Sequence, residues 1–130
     1  MNLLLDLHVF IWWACEPERL SARVREAIRD PKTRAFLSAA SAWELAIKFR
    51  LGKLRLPEPP EQFLPSRLAR NRIEELPVRH AHALGTLALP PIHRDPFDRL
   101  LVAQAKAEGL SLVTVDENVL RYGGEVIDAR

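Results

Sequence analysis

The chain has 130 residues, 48% hydrophobic and 28% charged, which is about one domain's length with enough apolar mass for one core. Its 19 basic and 17 acidic residues leave a net charge of +2, which suits a polyanion without demonstrating one. The single cysteine, Cys15, excludes an intrachain disulfide and a paired-cysteine zinc site, and no apolar stretch nears the roughly 18 residues of a spanning helix. With no basic region before the first apolar run, the expectation is a cytoplasmic protein without membrane attachment, folded as a single domain over 1–130.

Asn2 to Leu5 reads as a short buried strand of a parallel sheet, cut off by Asp6 at its carboxyl end. Leu7 to Ala14 reads as a helix with two buried faces. Trp12 and Trp13 cannot both face inward from one turn, so one of them is either a protein contact or rim packing. Ser21 caps a second helix to about Ile28, Arg34 to Ser38 is the next strand, and Ser41 opens a helix that Gly52 stops. Within that helix Glu44 and Lys48 form an i, i+4 pair of the kind that serves an exposed face. Pro60 to Asn71 is a helix, Ile73 to Leu76 a strand, and Pro77 to Leu87 a short helix whose His80 and His82 point different ways and are expected at the surface or rim.

The most informative stretch is His93 to Ala105, H-R-D-P-F-D-R-L-L-V-A-Q-A. Asp95-Pro96 starts a helix, the aspartate accepting orphan N–H groups and the proline losing nothing at the first position; Gly109 ends it after Glu108. Capping accounts for Asp95. Asp98 has Leu101, Val102 and Ala105 as its i+3, i+4 and i+7 neighbours, so it lies on the inward face, although a first-turn acid also has a capping role of its own. Ser111 to Val115 is a second strand that ends in aspartate, Asp116, followed by one helical turn over Glu117 to Leu120 and a last strand over Gly124 to Ile127. This alternation predicts a three-layer α/β domain with a mostly parallel central sheet flanked by helices.

Strand carboxyl ends and the following helix N-termini share one edge of such a sheet, so Asp6, Glu44, Asp98 and Asp116 converge on one crevice. Four uncompensated carboxylates repel one another and call for a divalent cation; oxygen-only ligands favour a hard ion, Mg²⁺ with Mn²⁺ as substitute. Such a site suits phosphodiester hydrolysis, with Asp6 and Asp98 assigned to the metal and Glu44 and Asp116 as outer ligands or water orienters. Arg94 and Arg99 flank the acidic helix start, either to hold the phosphates of a phosphodiester substrate or as solvated charges.

The segments L-L-L-D-L-H at Leu3 to His8, S-A-W-E-L-A-I-K at Ser41 to Lys48, the His93 to Ala105 string and L-V-T-V-D at Leu112 to Asp116 resemble the PIN-domain ribonucleases, most of all VapC toxins of toxin–antitoxin modules. The resemblance spans nearly the whole chain in the right order. It implies a Mg²⁺-dependent endoribonuclease cutting RNA, a cognate antitoxin that holds it inactive by lying near the site, and a homodimer. The phosphates open to Arg94 and Arg99 are then those of RNA. Carried over by position, the family's acidic quartet falls on Asp6, Glu44, Asp98 and Asp116, with Thr114 and Asp95 in support. Leu7 departs from the small hydroxyl residue of many relatives, which removes a supporting hydrogen bond but no carboxylate.

Three other readings compete. A phosphoacceptor receiver requires acids after the first strand and a lysine after the last, and this chain has Leu7 and His8, then Asp128. A Gly-rich phosphate cradle finds none of the five glycines clustered at a strand-to-helix turn. The remaining alternative is a non-catalytic PIN-fold module that binds RNA or a partner without turnover.

Overall fold

A computed structural model describes residues 1–130. Strands β1 (Asn2–Leu5), β2 (Arg34–Ser38), β3 (Ile73–Leu76), β4 (Ser111–Thr114) and β5 (Val126–Asp128) form one sheet in the order β3-β2-β1-β4-β5. Every pairing is parallel, so the expectation of a mostly parallel sheet is met in its stricter form. Seven helices connect the strands: α1 (Leu7–Cys15), α2 (Ala22–Arg29), α3 (Ala39–Arg50), α4 (Pro60–Arg70), α5 (His80–Gly85), α6 (Pro96–Glu108) and α7 (Glu117–Leu120).

Alternation along β1 divides the core into two layers. Leu3 and Leu5 pack with Val9, Phe10, Val24, Leu45 and Phe63 on one face, while Leu4 packs with Leu101, Val102, Ala105 and Leu112 on the other. A strand covered by helices on both faces has to be apolar throughout, which is why β1 contains three consecutive leucines. Each buried leucine contributes roughly 2 kcal/mol, enough to make the central strand a rigid base for whatever sits at its end.

Three local expectations change. Helix α3 starts at Ala39 because the Ser38 side chain caps Ala40 N at 3.1 Å, so Glu44 lies in the second turn, not the first. The helix expected over Pro77 to Leu87 is shorter, with a 3₁₀ turn over Thr86–Ala88. His82, expected at the surface, is 1% exposed: its Nδ1 accepts from Arg79 N, and its Nε2 lies 2.9 Å from Glu108 Oε2 on α6. A histidine with both ring nitrogens partnered is a tie between helices. His80 is exposed, as expected.

Candidate active site

The order β3-β2-β1-β4-β5 reverses between β1 and β4, the point where connections leave the sheet to opposite sides and a crevice opens at the carboxyl ends. Asp6 follows β1 and Asp116 follows β4 at this break. A crevice of about 230 Å³ there is lined by Asp6, His8, Glu44, Lys48, Asp95, Asp98 and Asp116, among others. The four carboxylates expected to converge do so, with Asp95 beside them.

Each acid is placed by local hydrogen bonding that the sequence dictates. Asp6 caps α1, its Oδ1 accepting from Val9 N at 2.8 Å, and Thr114 donates its hydroxyl to Oδ2. The same Thr114 oxygen accepts from Asp116 N at 3.0 Å, so one fully buried hydroxyl links the two strand-end aspartates. Asp116 caps α7, its Oδ1 accepting from Asn118 N and Val119 N. Asp95 caps α6 through Phe97 N and Asp98 N, and Asp98 occupies the first turn. The positive ends of three helices therefore face the crevice, which is what allows so many carboxylates to collect.

The compensation is incomplete. Lys48 Nζ lies 2.8 Å from Glu44 Oε2 and is the single lysine or arginine lining the crevice, against five acids. Burial pushes the Asp98 carboxyl up to about 7, with the Asp95, Asp116 and Glu44 charges adding to the effect and His93 opposing it. Asp6 is also raised, chiefly by burial, despite its donors from Thr114 and Val9. Glu44 is 7% exposed, so its pair with Lys48 lies at the site and does not serve a solvated face.

A donor set made of carboxylate oxygens, short of positive charge and held at a crevice floor, fits a hard divalent cation. Asp98 and Asp116, together with His93, bring possible ligand atoms within 4.8 Å of one another, and Asp6 and Glu44 line the same crevice.

The model of the PIN-domain family matches residues 3–125. The chain belongs to the PIN-domain family. It is 35% identical to ribonuclease VapC22 of Mycobacterium tuberculosis (strain ATCC 25618 / H37Rv) over 119 residues, which is 91% of this chain and 89% of VapC22. It is 48% identical to ribonuclease VapC16 of the same organism over 58 residues, a match spanning 45% of this chain and 41% of VapC16. Among solved structures, VapBC2 from Rickettsia felis bound to a promoter DNA fragment shares the fold, with a TM-score of 0.71 over 98% of this chain and 96% of that one at 17% identity.

Within this PIN domain, several residues do something other than their sequence suggests. His93, at the head of the acidic helix string, places Nε2 2.9 Å from Asp98 Oδ2 and 3.5 Å from Asp116 Oδ2. Sequence reasoning missed it because a loop residue has no periodicity to give its direction; the one available signal was its position two residues before the Asp95 cap. His8, expected as helix bulk, is exposed and lines the crevice. Arg99, expected either to hold RNA phosphates or to be solvated, donates instead to the carbonyls of Thr86, Pro90 and His93 and to the Tyr122 hydroxyl. A guanidinium so used ties the loop before α6 to the helix. Arg94 is exposed, next in sequence to Asp95, and does not line the crevice. Trp12 and Trp13 are half-buried under Arg19 and Arg29, and the exposed apolar surface lies on α3 instead, at Trp43, Ile47, Phe49 and the adjoining Leu51. No helix is long and apolar enough to cross a membrane.

Proposed function

We propose that this PIN domain is a Mg²⁺-dependent endoribonuclease toxin, able to use Mn²⁺, that hydrolyses RNA phosphodiester bonds at the Asp6, Glu44, Asp98 and Asp116 site and is neutralised by a cognate antitoxin. The observation that carries this reading is the convergence of the four carboxylates on one crevice at the strand-order reversal, where a single lysine leaves them uncompensated. The mycobacterial relatives, both named ribonucleases, support the reaction class.

Asp6 and Asp98 hold the cation, with Glu44 and Asp116 as outer ligands or water orienters. When bound there, the cation polarises the phosphoryl oxygens and lowers the pKa of an attacking water. Thr114 fixes the spacing of Asp6 and Asp116. Asp116 spends Oδ1 on the α7 amides and turns Oδ2 toward the site, where it is placed to accept a proton from the water. Lys48 pairs with Glu44 Oε2 at 2.8 Å and holds that carboxylate at the crevice wall. Arg94, exposed and next in sequence to Asp95, is the candidate contact for an RNA phosphate.

For the antitoxin, the exposed strip of Trp43, at 65%, with Ile47 one turn on and Leu51 beyond it is the surface that calls for a protein cover. A second apolar patch, Leu84 and Leu87, suits the homodimer. A solved toxin–antitoxin complex from Klebsiella pneumoniae that shares the fold supports pairing with an antitoxin.

The test is cleavage of mixed cellular RNA by the purified chain with Mg²⁺, Mn²⁺ or EDTA, beside Asp98→Asn. Cutting that needs the metal and disappears in the variant is the expected result. A folded wild-type chain, freed of any partner, that cuts no RNA with either metal would refute the nuclease.

A further inference from the structure

His93 belongs to none of the four acids, yet the fold spends several long-range hydrogen bonds on placing it. Its backbone N–H donates to the Tyr122 hydroxyl at 3.1 Å, and Arg99 donates to the same hydroxyl at 3.2 Å. Arg99 also donates to the His93 carbonyl at 3.4 Å, to Pro90 O at 3.1 Å and to Thr86 O at 2.9 Å. The loop between the 3₁₀ turn and α6 is therefore clamped at both the amide and the carbonyl of one residue. The side chain of that residue enters the carboxylate cluster, 16% exposed.

The chemistry at the tip is specific. Asp95 N points at Nδ1 at 3.5 Å, so Nε2 is the ring nitrogen turned to the acids. Nε2 is buried and sits between two carboxylate oxygens of different elements, 2.9 Å from Asp98 on α6 and 3.5 Å from Asp116 on the β4–α7 junction, without an aligned hydrogen bond to either. A polar ring nitrogen this close to two like charges reduces their repulsion by electrostatic attraction to both and so limits their separation.

We infer that His93 is a positioning residue of the cation site, holding Asp98 and Asp116 at their working separation through Nε2, and that Tyr122 and Arg99 act on the site only through His93. The inference rests on the nuclease reading, since it concerns the same carboxylates. It gives the Arg99–Tyr122 clamp a functional purpose, because a loop held by four carbonyl and hydroxyl contacts keeps a ring nitrogen in place better than a free loop does.

The experiment is Mn²⁺ binding to the whole chain without RNA, followed by the electron paramagnetic resonance of the free ion, with Mg²⁺ measured by calorimetry. His93→Ala is expected to weaken both ions about tenfold. His93→Gln, which keeps an N–H donor at similar reach, is expected to recover most of the loss. Tyr122→Phe, which removes a hydroxyl bonded to His93 N and Arg99 and to no carboxylate, is expected to weaken binding about threefold in the wild-type chain and not at all in the His93→Ala background. Melting temperatures measured alongside separate these effects from unfolding.

Unchanged or tighter binding in His93→Ala overturns the inference, as does a glutamine variant no better than alanine, which would make the ring a direct ligand. Additive losses for Tyr122→Phe and His93→Ala overturn the relay from the clamp. All these results leave the nuclease reading standing, whereas a wild-type chain that binds neither ion overturns both.

Discussion

Removing the charge of Asp98 should stabilise the metal-free protein while destroying its purpose. Burial and three neighbouring acids raise the Asp98 carboxyl to about 7 from an ordinary value of 3.8. The folded state therefore holds a proton that the unfolded chain has released, so this stability is fully present below about pH 4 and is lost as pH rises through about 7. A shift of about three units at 1.36 kcal/mol each sets an upper bound of about 4 kcal/mol. The side chain is 17% exposed, the charge is shared with coupled acids, and the amide forgoes the favourable interaction of a first-turn carboxylate with the helix dipole, so about 2 kcal/mol is the expected net gain. For a domain of this length that is a rise of about 7 °C in melting temperature. Asp98→Asn in EDTA should thus melt higher than the wild type near pH 8 and nearly level with it near pH 4, by circular dichroism. Millimolar Mg²⁺ near pH 8 should raise the wild type alone. A variant that is less stable near pH 8, or a difference that does not change with pH, would refute the account of Asp98 as an uncompensated buried acid.

Two further outcomes test the supporting residues. Asp95→Asn keeps a cap for Phe97 N and Asp98 N while removing the largest neighbouring charge from Asp98; stability should stay within about 0.5 kcal/mol and the acidic limb of the cleavage–pH profile should move to lower pH, with loss of cleavage contradicting this reading. Thr114→Val orphans the Asp116 amide and strips a donor from buried Asp6; urea unfolding should show a loss of about 2 kcal/mol and calorimetry a weaker Mg²⁺ affinity, both restored in Thr114→Ser.

The local chemistry of the chain was enough to place most of its elements and to nominate the acids. Asp95-Pro96 and Ser21 announce their helices because a cap is satisfied within three residues, and Leu3 to Leu5 announces a doubly covered strand because burial on both faces leaves no polar position. The convergence of Asp6 and Asp116 followed from the handedness of strand–helix–strand connections, which needs no coordinates. What tertiary structure alone decided depends on where loops go and on which surfaces meet. Glu44 reaches the crevice as a buried acid still paired with Lys48 because α3 begins at Ala39 and packs beside α6; His82 moved inside because Glu108 waits on another helix. His93 and Arg99 were placed by the tertiary structure alone. The histidine entered the cluster and the arginine bound carbonyls, because the loop before α6 is folded by contacts to Tyr122, some thirty residues away, and such contacts leave no period or cap in the sequence to read.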